Sequence, residues 1–334
     1  MKKGLLLLFC SPLFLIAQQT YVPDDNFEQE LINYGYDTVL DDSVLTANID
    51  TITFMSLNNQ NINNLIGVED FIALEFLSCE SNQLDSLILD NCINLTDLRC
   101  SGNNLTTLDV SSNLNLIELS CVQNQLTTLD VIANTVLEKL ICRDNPLTIL
   151  TLNDTSLLLL SCINTYLTTI DLSNNINLET AFINYSNLSS IDLNGATNLR
   201  LLSITDNQLT SLDVSTNINL EILNAVNNDL SYLDLRNGNK DNLFINIMQN
   251  SDLDCISVDD TALANINWTV NNSIDPQHYF SLDCNATAIN ETSQQQKQLL
   301  KIVDILGKER KSNKKGLLFY IYSDGTVEKR IVME

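Results

Sequence analysis

"CSGNNLTTLDVSSNLNLIELSC" occupies residues 100–121, and nearly the same string begins again at Cys121. The period is 21 residues, set by Cys79, Cys100, Cys121 and Cys142, then by Cys162 one residue early. Ile183, Ile204, Ala225 and, one residue late, Ile247 continue the column, and an earlier turn centres on Leu57. Counted from the cysteine as zero, Asn falls at 3, Leu at 5 and 8, Asp at 9, Asn often at 13, and Leu at 16 and 19. A unit this short cannot bury its own apolar side, so neighbours must stack to make one continuous core. Cysteine is replaced by Ile and Ala in later units, which marks it as a small buried hydrophobe.

"LIELSCVQN" (116–124) and "LTTLDVSSN" (105–113) both fit LxxLxLxxN. Two nested copies per 21 residues resemble the bacterial leucine-rich repeats called IRREKO, over about 57–253. The resemblance implies a mainly β fold: a right-handed solenoid of about ten turns with one parallel strand per turn on a main face. The nested copy adds a second short strand opposite. The Asn at position 3 is expected to bridge backbone groups of adjacent turns, which would otherwise be buried unpaired. That column is Asn82, Asn103, Asn124, Asn145, Asn207, Asn228 and Asn250, broken by Thr165 and Ser186. A local irregularity is expected between Cys142 and Cys162, where the unit is short.

The second half-repeat is nearly constant, as in "LTTLDV" at 105 and 126 and "LTTIDL" at 167. The first half-repeat keeps its apolar places and varies between them: "KLICRD" (139–144), "LLSCIN" (159–164), "TAFINY" (180–185). Variation at outward positions of a rigid sheet fits a recognition surface, and neutral drift gives the same pattern. On the recognition reading, the ligand patch is Phe182, Asn184 and Tyr185, with Asn164, Asp206 and Asn227 beside it, because aromatics next to polar groups make good anchors.

Chemistry finds little support. The Asp column (Asp109, Asp130, Asp171, Asp192, Asp213, Asp234) reads as local hydrogen-bond acceptors rather than cation sites. His278 is the only histidine, which excludes His-based triads and multi-His metal sites. There is no Gly-rich phosphate loop. The expectation is a non-enzyme with no cofactor and no metal. Between Gln18 and Gln296 stand 37 acidic and 6 basic residues, a body that repels phosphate backbones, so nucleic acid is not a partner.

The start reads as a secretory signal peptide (1–18): Lys2-Lys3, an apolar stretch from Leu5 to Ile16, and Ala17 before the cut. Cys10 follows Phe9, where a lipidation signal wants a small residue. No later stretch is long enough to span a membrane. "VPDDNFEQELINYG" (22–35) reads as a capping helix within an N-terminal cap, 19–56. Residues 254–285 form a C-terminal cap, with a short helix at Ala262–Trp268 and two cysteines outside the column. A Cys255–Cys284 disulfide would stabilise that end. The column cysteines should stay reduced, because in-register parallel side chains suit the disulfide torsion poorly.

A polar linker (286–298) leads to "LLKIVDILGKERKSNKKGLLFYIYSDGTVEKRIVME" (299–334). This small basic β tail resembles the C-terminal sorting domain of proteins exported by the type IX secretion system of Bacteroidetes. The resemblance implies export to the medium or outer cell surface, with that machinery as a partner. The reading is therefore a secreted or surface leucine-rich-repeat protein that binds a protein or glycan. A structural surface component without a ligand, or an accessory module to a secreted hydrolase, are the other classes.

Overall fold

The computed structural model describes residues 17–152, 156–239, 241–270, 272–284, 299–304, 307–310, 316–322 and 327–332. The expected signal peptide up to Ile16 and the linker after Asn285 lie outside the described residues, as do 153–155 within the short unit.

Each turn gives three residues to a ten-stranded parallel sheet, from Phe54–Ser56 through Glu118–Ser120 and Thr180–Phe182 to Phe244–Asn246. The strands are in strict register, so Leu98 lies beside Leu119 and Ala181 beside Leu202. The middle residue of each strand is buried, and its neighbours point outward because side chains alternate along a strand. The anchor residue prolongs the ladder: Cys79 N donates to Arg99 O at 2.8 Å and Cys100 N to Ser120 O at 2.9 Å.

Next comes a sharp turn in left-handed backbone, at Gly102, Gln123, Asp144, Asn164, Tyr185, Asp206 and Asn227. It aims the following Asn back into the stack. Asn124 Nδ2 donates to Cys100 O and Cys121 O, both at 3.1 Å, and Leu105 N donates to its Oδ1 at 3.0 Å. Asn82, Asn103, Asn145, Asn207, Asn228 and Asn250 repeat the arrangement, each tied to its own turn and the one before. Where the column breaks, Thr165 Oγ1 and Ser186 Oγ pair at 2.8 Å and stay buried.

The chain then crosses to the second side. There it forms short parallel strands such as Thr128–Asp130, Thr169–Asp171 and Ser211–Asp213, grouped in sheets of two and four. Each Asp of the column turns the chain by accepting the N–H two residues on, as Asp109 does from Ser111 at 2.9 Å and Asp213 from Ser215 at 2.8 Å. The Ser111 hydroxyl and N–H hold the Asp109 carboxyl below the usual carboxylate range. One apolar core runs unbroken from Val22 to Ile274.

Both ends of the stack are closed. At the N-terminal end, helix α1 (Asp25–Tyr34) is capped by Asp24, whose Oδ1 accepts Asn26 N and Phe27 N, both at 3.1 Å. The same carboxylate accepts Asn63 N at 2.8 Å, which ties the helix to the first turn. Gly35, at φ 82°, ends α1 in a conformation that glycine adopts without strain. Phe27 and Leu31 of α1 are buried over the core. A short helix α2 (Thr46–Ile49) follows, with Ile49 buried. At the other end, α3 (Thr261–Asn267) is capped by Asp260. Trp268 Nε1 donates to Leu243 O at 3.2 Å, and the Trp268 ring packs on Phe280. His278 accepts Asp275 N at Nδ1, and burial pushes its imidazole below its ordinary pKa. Cys255 and Cys284 form a disulfide.

Residues 283–334 cluster as a second compact unit. Its strands Leu299–Asp304, Gly316–Tyr322 and Val327–Val332 form an antiparallel sheet, with Ile302, Leu318 and Tyr320 buried. The Arg330 guanidinium lies 4.6 Å from the Tyr320 ring centroid.

Candidate functional site on the broad sheet

The outward residues of the ten-stranded sheet divide it into two chemical regions. Towards the N-terminal end, Phe54 and Phe76 stack at 4.6 Å, and the Arg99 guanidinium sits 5.3 Å from the Phe76 centroid. Arg99 pairs with Asp97 at 3.1 Å and Glu118 at 3.5 Å, and Lys139 reaches Glu118 at 3.5 Å. These pairs are solvent-screened, worth roughly 0–1 kcal/mol each, so they shape the surface more than they stabilise it.

From Ile141 onward the outward residues are largely apolar. Ile141, Leu159, Phe182 and Leu201 are half-buried, while Ile222 and Phe244 are 39% and 59% exposed. Ile141, Leu159, Ser161, Ile163, Phe182 and Arg143 line a shallow depression of about 350 Å³. Arg143 is exposed at its rim and makes no ion pair among the described residues.

The residues singled out in the sequence fall into three positions. Phe182 borders the depression. Asn184 is committed within the protein: its Oδ1 accepts Ser203 Oγ and Thr205 N, both at 2.8 Å. Asn164, Tyr185, Asp206 and Asn227 occupy the left-handed turn at φ 57°, 54°, 57° and 55°. That conformation favours Asn, Asp and Gly, so backbone geometry explains three of these four residue types without a ligand. Asn164 Nδ2 also donates to Asp144 Oδ1 at 2.8 Å, and Asn227 Nδ2 to Asp206 Oδ1 at 2.6 Å. Tyr185 is different: it is 60% exposed in a turn its type does not prefer.

The sequence reading passed over Ile141, Arg143, Leu159 and Ile163. The signal for two of them was present: Ile141 and Leu159 are apolar residues one and three places before the anchor, where a side chain points outward, whereas Arg143 and Ile163 lie one place after it. It passed over a second feature as well. Near α1, ligand atoms of Asp25, Glu28 and Asp42 lie within 4.8 Å of one another, as do those of Glu28, Asp37 and Asp41. Glu28 is fully buried, and its carboxylate accepts the N–H groups of Asp41, Asp42 and Ser43 at 2.9, 3.1 and 3.0 Å. It therefore folds the 41–43 loop onto the helix.

The column thiols are free and buried. Burial pushes the Cys100 thiol up to about 12, and Cys92, likewise buried, up to about 12. Such thiols are poor nucleophiles near neutral pH.

No family model matches the chain, and no curated protein matches it. Several solved structures do. The functional domain of InlJ from Listeria monocytogenes, described as including a cysteine ladder, is 24% identical over 79% of this chain and 70% of that one, with a TM-score of 0.49. A leucine-rich-repeat protein of Leptospira interrogans is 22% identical over 64% and 63%, with a TM-score of 0.48. The structure of the Drosophila Toll–Spatzle complex matches at 21% identity over 64% of this chain and 31% of that one, with a TM-score of 0.51. The likeness to this last chain is one of fold, and this protein spans about a third of its length. The chain is a parallel β solenoid of about 11 turns with leucine-rich-repeat neighbours.

Proposed function

We propose that this is an exported leucine-rich-repeat protein that binds a protein ligand on its broad sheet and performs no catalysis. The observation that carries the reading is the partly exposed apolar group around Phe182, set on a rigid, in-register sheet. Apolar surface held in place beside polar neighbours is what an interface core requires. The Toll chain that shares the fold was solved in a complex with Spatzle, which supports a protein partner for a fold of this kind. The test is a screen of the chain against arrayed surface proteins and glycans. A saturable protein ligand is expected, with affinity reduced at least roughly tenfold when Phe182→Ala and Tyr185→Ala are combined. Binding unchanged by the pair refutes the placement, and binding to glycans alone refutes the protein ligand.

Export rests on the basic and apolar start, the Cys255–Cys284 bond, which suits an oxidising compartment, and the tail at 299–334. In this reading the tail directs passage through the outer membrane by a type IX system and is then removed. Intact mass of protein recovered from the cell surface or medium is expected to lack Lys301–Glu334. Exported protein that keeps the tail overturns that route.

A further inference from the structure

The depression beside Phe182 has a chemistry that narrows its occupant. Its walls are Ile141, Leu159, Ile163 and Phe182, with a cation on the rim. Two other cations of this region, Lys139 and Arg200, are engaged: Lys139 with Glu118, and Arg200 with Glu221 at 3.0 Å. Among the described residues Arg143 makes no ion pair, although the body around it is overwhelmingly acidic. A guanidinium beside an apolar hollow fits a carboxylate that accompanies a large apolar side chain, because its planar fork pairs with carboxylate oxygens in two parallel hydrogen bonds. A phosphate would bring about two negative charges into a strongly acidic field, which disfavours it against a carboxylate.

The same face continues in a straight column. Register aligns Ile141, Ser161, Phe182, Ser203, Asn224 and Asn246 on successive strands. Oδ1 of Asn224 and Oδ1 of Asn246 are buried and accept no hydrogen bond among the described residues. They lie about 10 and 14 Å from Phe182 at ~4.8 Å per strand, a span of three to four residues of extended chain. Asn224 and Asn246 are themselves only half-buried, so their amides pair with a polypeptide crossing the strands once the side chains turn outward.

Building on the protein-ligand reading, we infer that the broad sheet takes an extended peptide segment of its partner, with a large apolar side chain in the Ile141–Phe182 depression and an adjacent carboxylate on Arg143. The experiment selects phage-displayed random twelve-residue peptides on the folded, disulfide-bonded chain. Enriched peptides are expected to place Asp or Glu next to Phe, Leu, Ile, Tyr or Trp. A synthetic peptide of the enriched sequence should bind Arg143→Gln at least roughly tenfold more weakly. Arg143→Glu should recover binding to the same peptide with its acid changed to Lys. Arg143 is exposed, so the melting temperature of either variant should match the parent and a loss cannot be put down to misfolding. Enriched peptides without acidic residues, no enrichment at all, or binding unaffected by Arg143→Gln overturns the inference. Peptides weakened by Phe182→Ala but not by Arg143→Gln overturn it while leaving the broad sheet as the binding face.

Discussion

Asn124→Ala is expected to lower the free energy of unfolding by about 3 kcal/mol, read from urea titration. The figure follows from the partners left behind. The Leu105 N–H, buried, donates to Asn124 Oδ1 and loses its acceptor outright. The carbonyls of Cys100 and Cys121 fare better, because each also accepts a neighbouring ladder residue, Asn103 and Asn145 respectively. One orphaned donor at about 1–3 kcal/mol and two weakened acceptors at about 0.5–1 each make up the total. Asn104→Ala is the control: that side chain is exposed, and its loss should stay within about 0.5 kcal/mol. A ladder substitution as mild as the control would mean that water, rather than Asn124, satisfies these groups.

The second large effect is expected at the C-terminal end. The disulfide closes a loop of about 30 residues, and Cys255→Ser should cost about 3–4 kcal/mol in the chain-entropy model. The loop contains Trp268 and His278, which cover the last turn of the core, so the cap should open first. Peptide mapping should find Cys255–Cys284 as the one bond among the described cysteines. Cys79, Cys92, Cys100, Cys121, Cys142 and Cys162 should react with a polar thiol reagent only after denaturation. With the Cys100 pKa near 12, only about one thiol in ten thousand is ionised at pH 8 even before access is considered. Rapid labelling of the folded chain, or a bridge such as Cys100–Cys121, would contradict the packing described for the column.

The stacking was legible in the sequence because every unit obeys the same burial rule. Leu at 16 and 19 and Cys at zero fill the core in each turn, and the period survives single substitutions. The Asn column was legible for the same reason: a polar residue that recurs among buried positions must satisfy something that also recurs. The ligand face was harder to read. Variability at Asn164, Asp206 and Asn227 looked like tuning for a partner, yet the left-handed turn accounts for those residue types. A sequence shows which places vary but not the sign of φ there. Arg143 was counted with the charges; Ile141 stands two residues before it, but only the fold sets it beside Leu159 and Ile163 of the next turn and Phe182 of the one after.

The ladder bonds also make assembly local. Each Asn reaches back to its own turn or the one before, never to a turn further off; Asn103, for example, joins Cys79 and Cys100 and serves Leu84. A new turn therefore needs only its predecessor as a template. Any adjacent pair of turns suffices to start the array, which then extends one turn at a time with raw ends exposed until the caps dock. At the C-terminal end the sole covalent clasp among the described residues joins Cys284 to Cys255, and Cys284 follows in sequence every turn it protects.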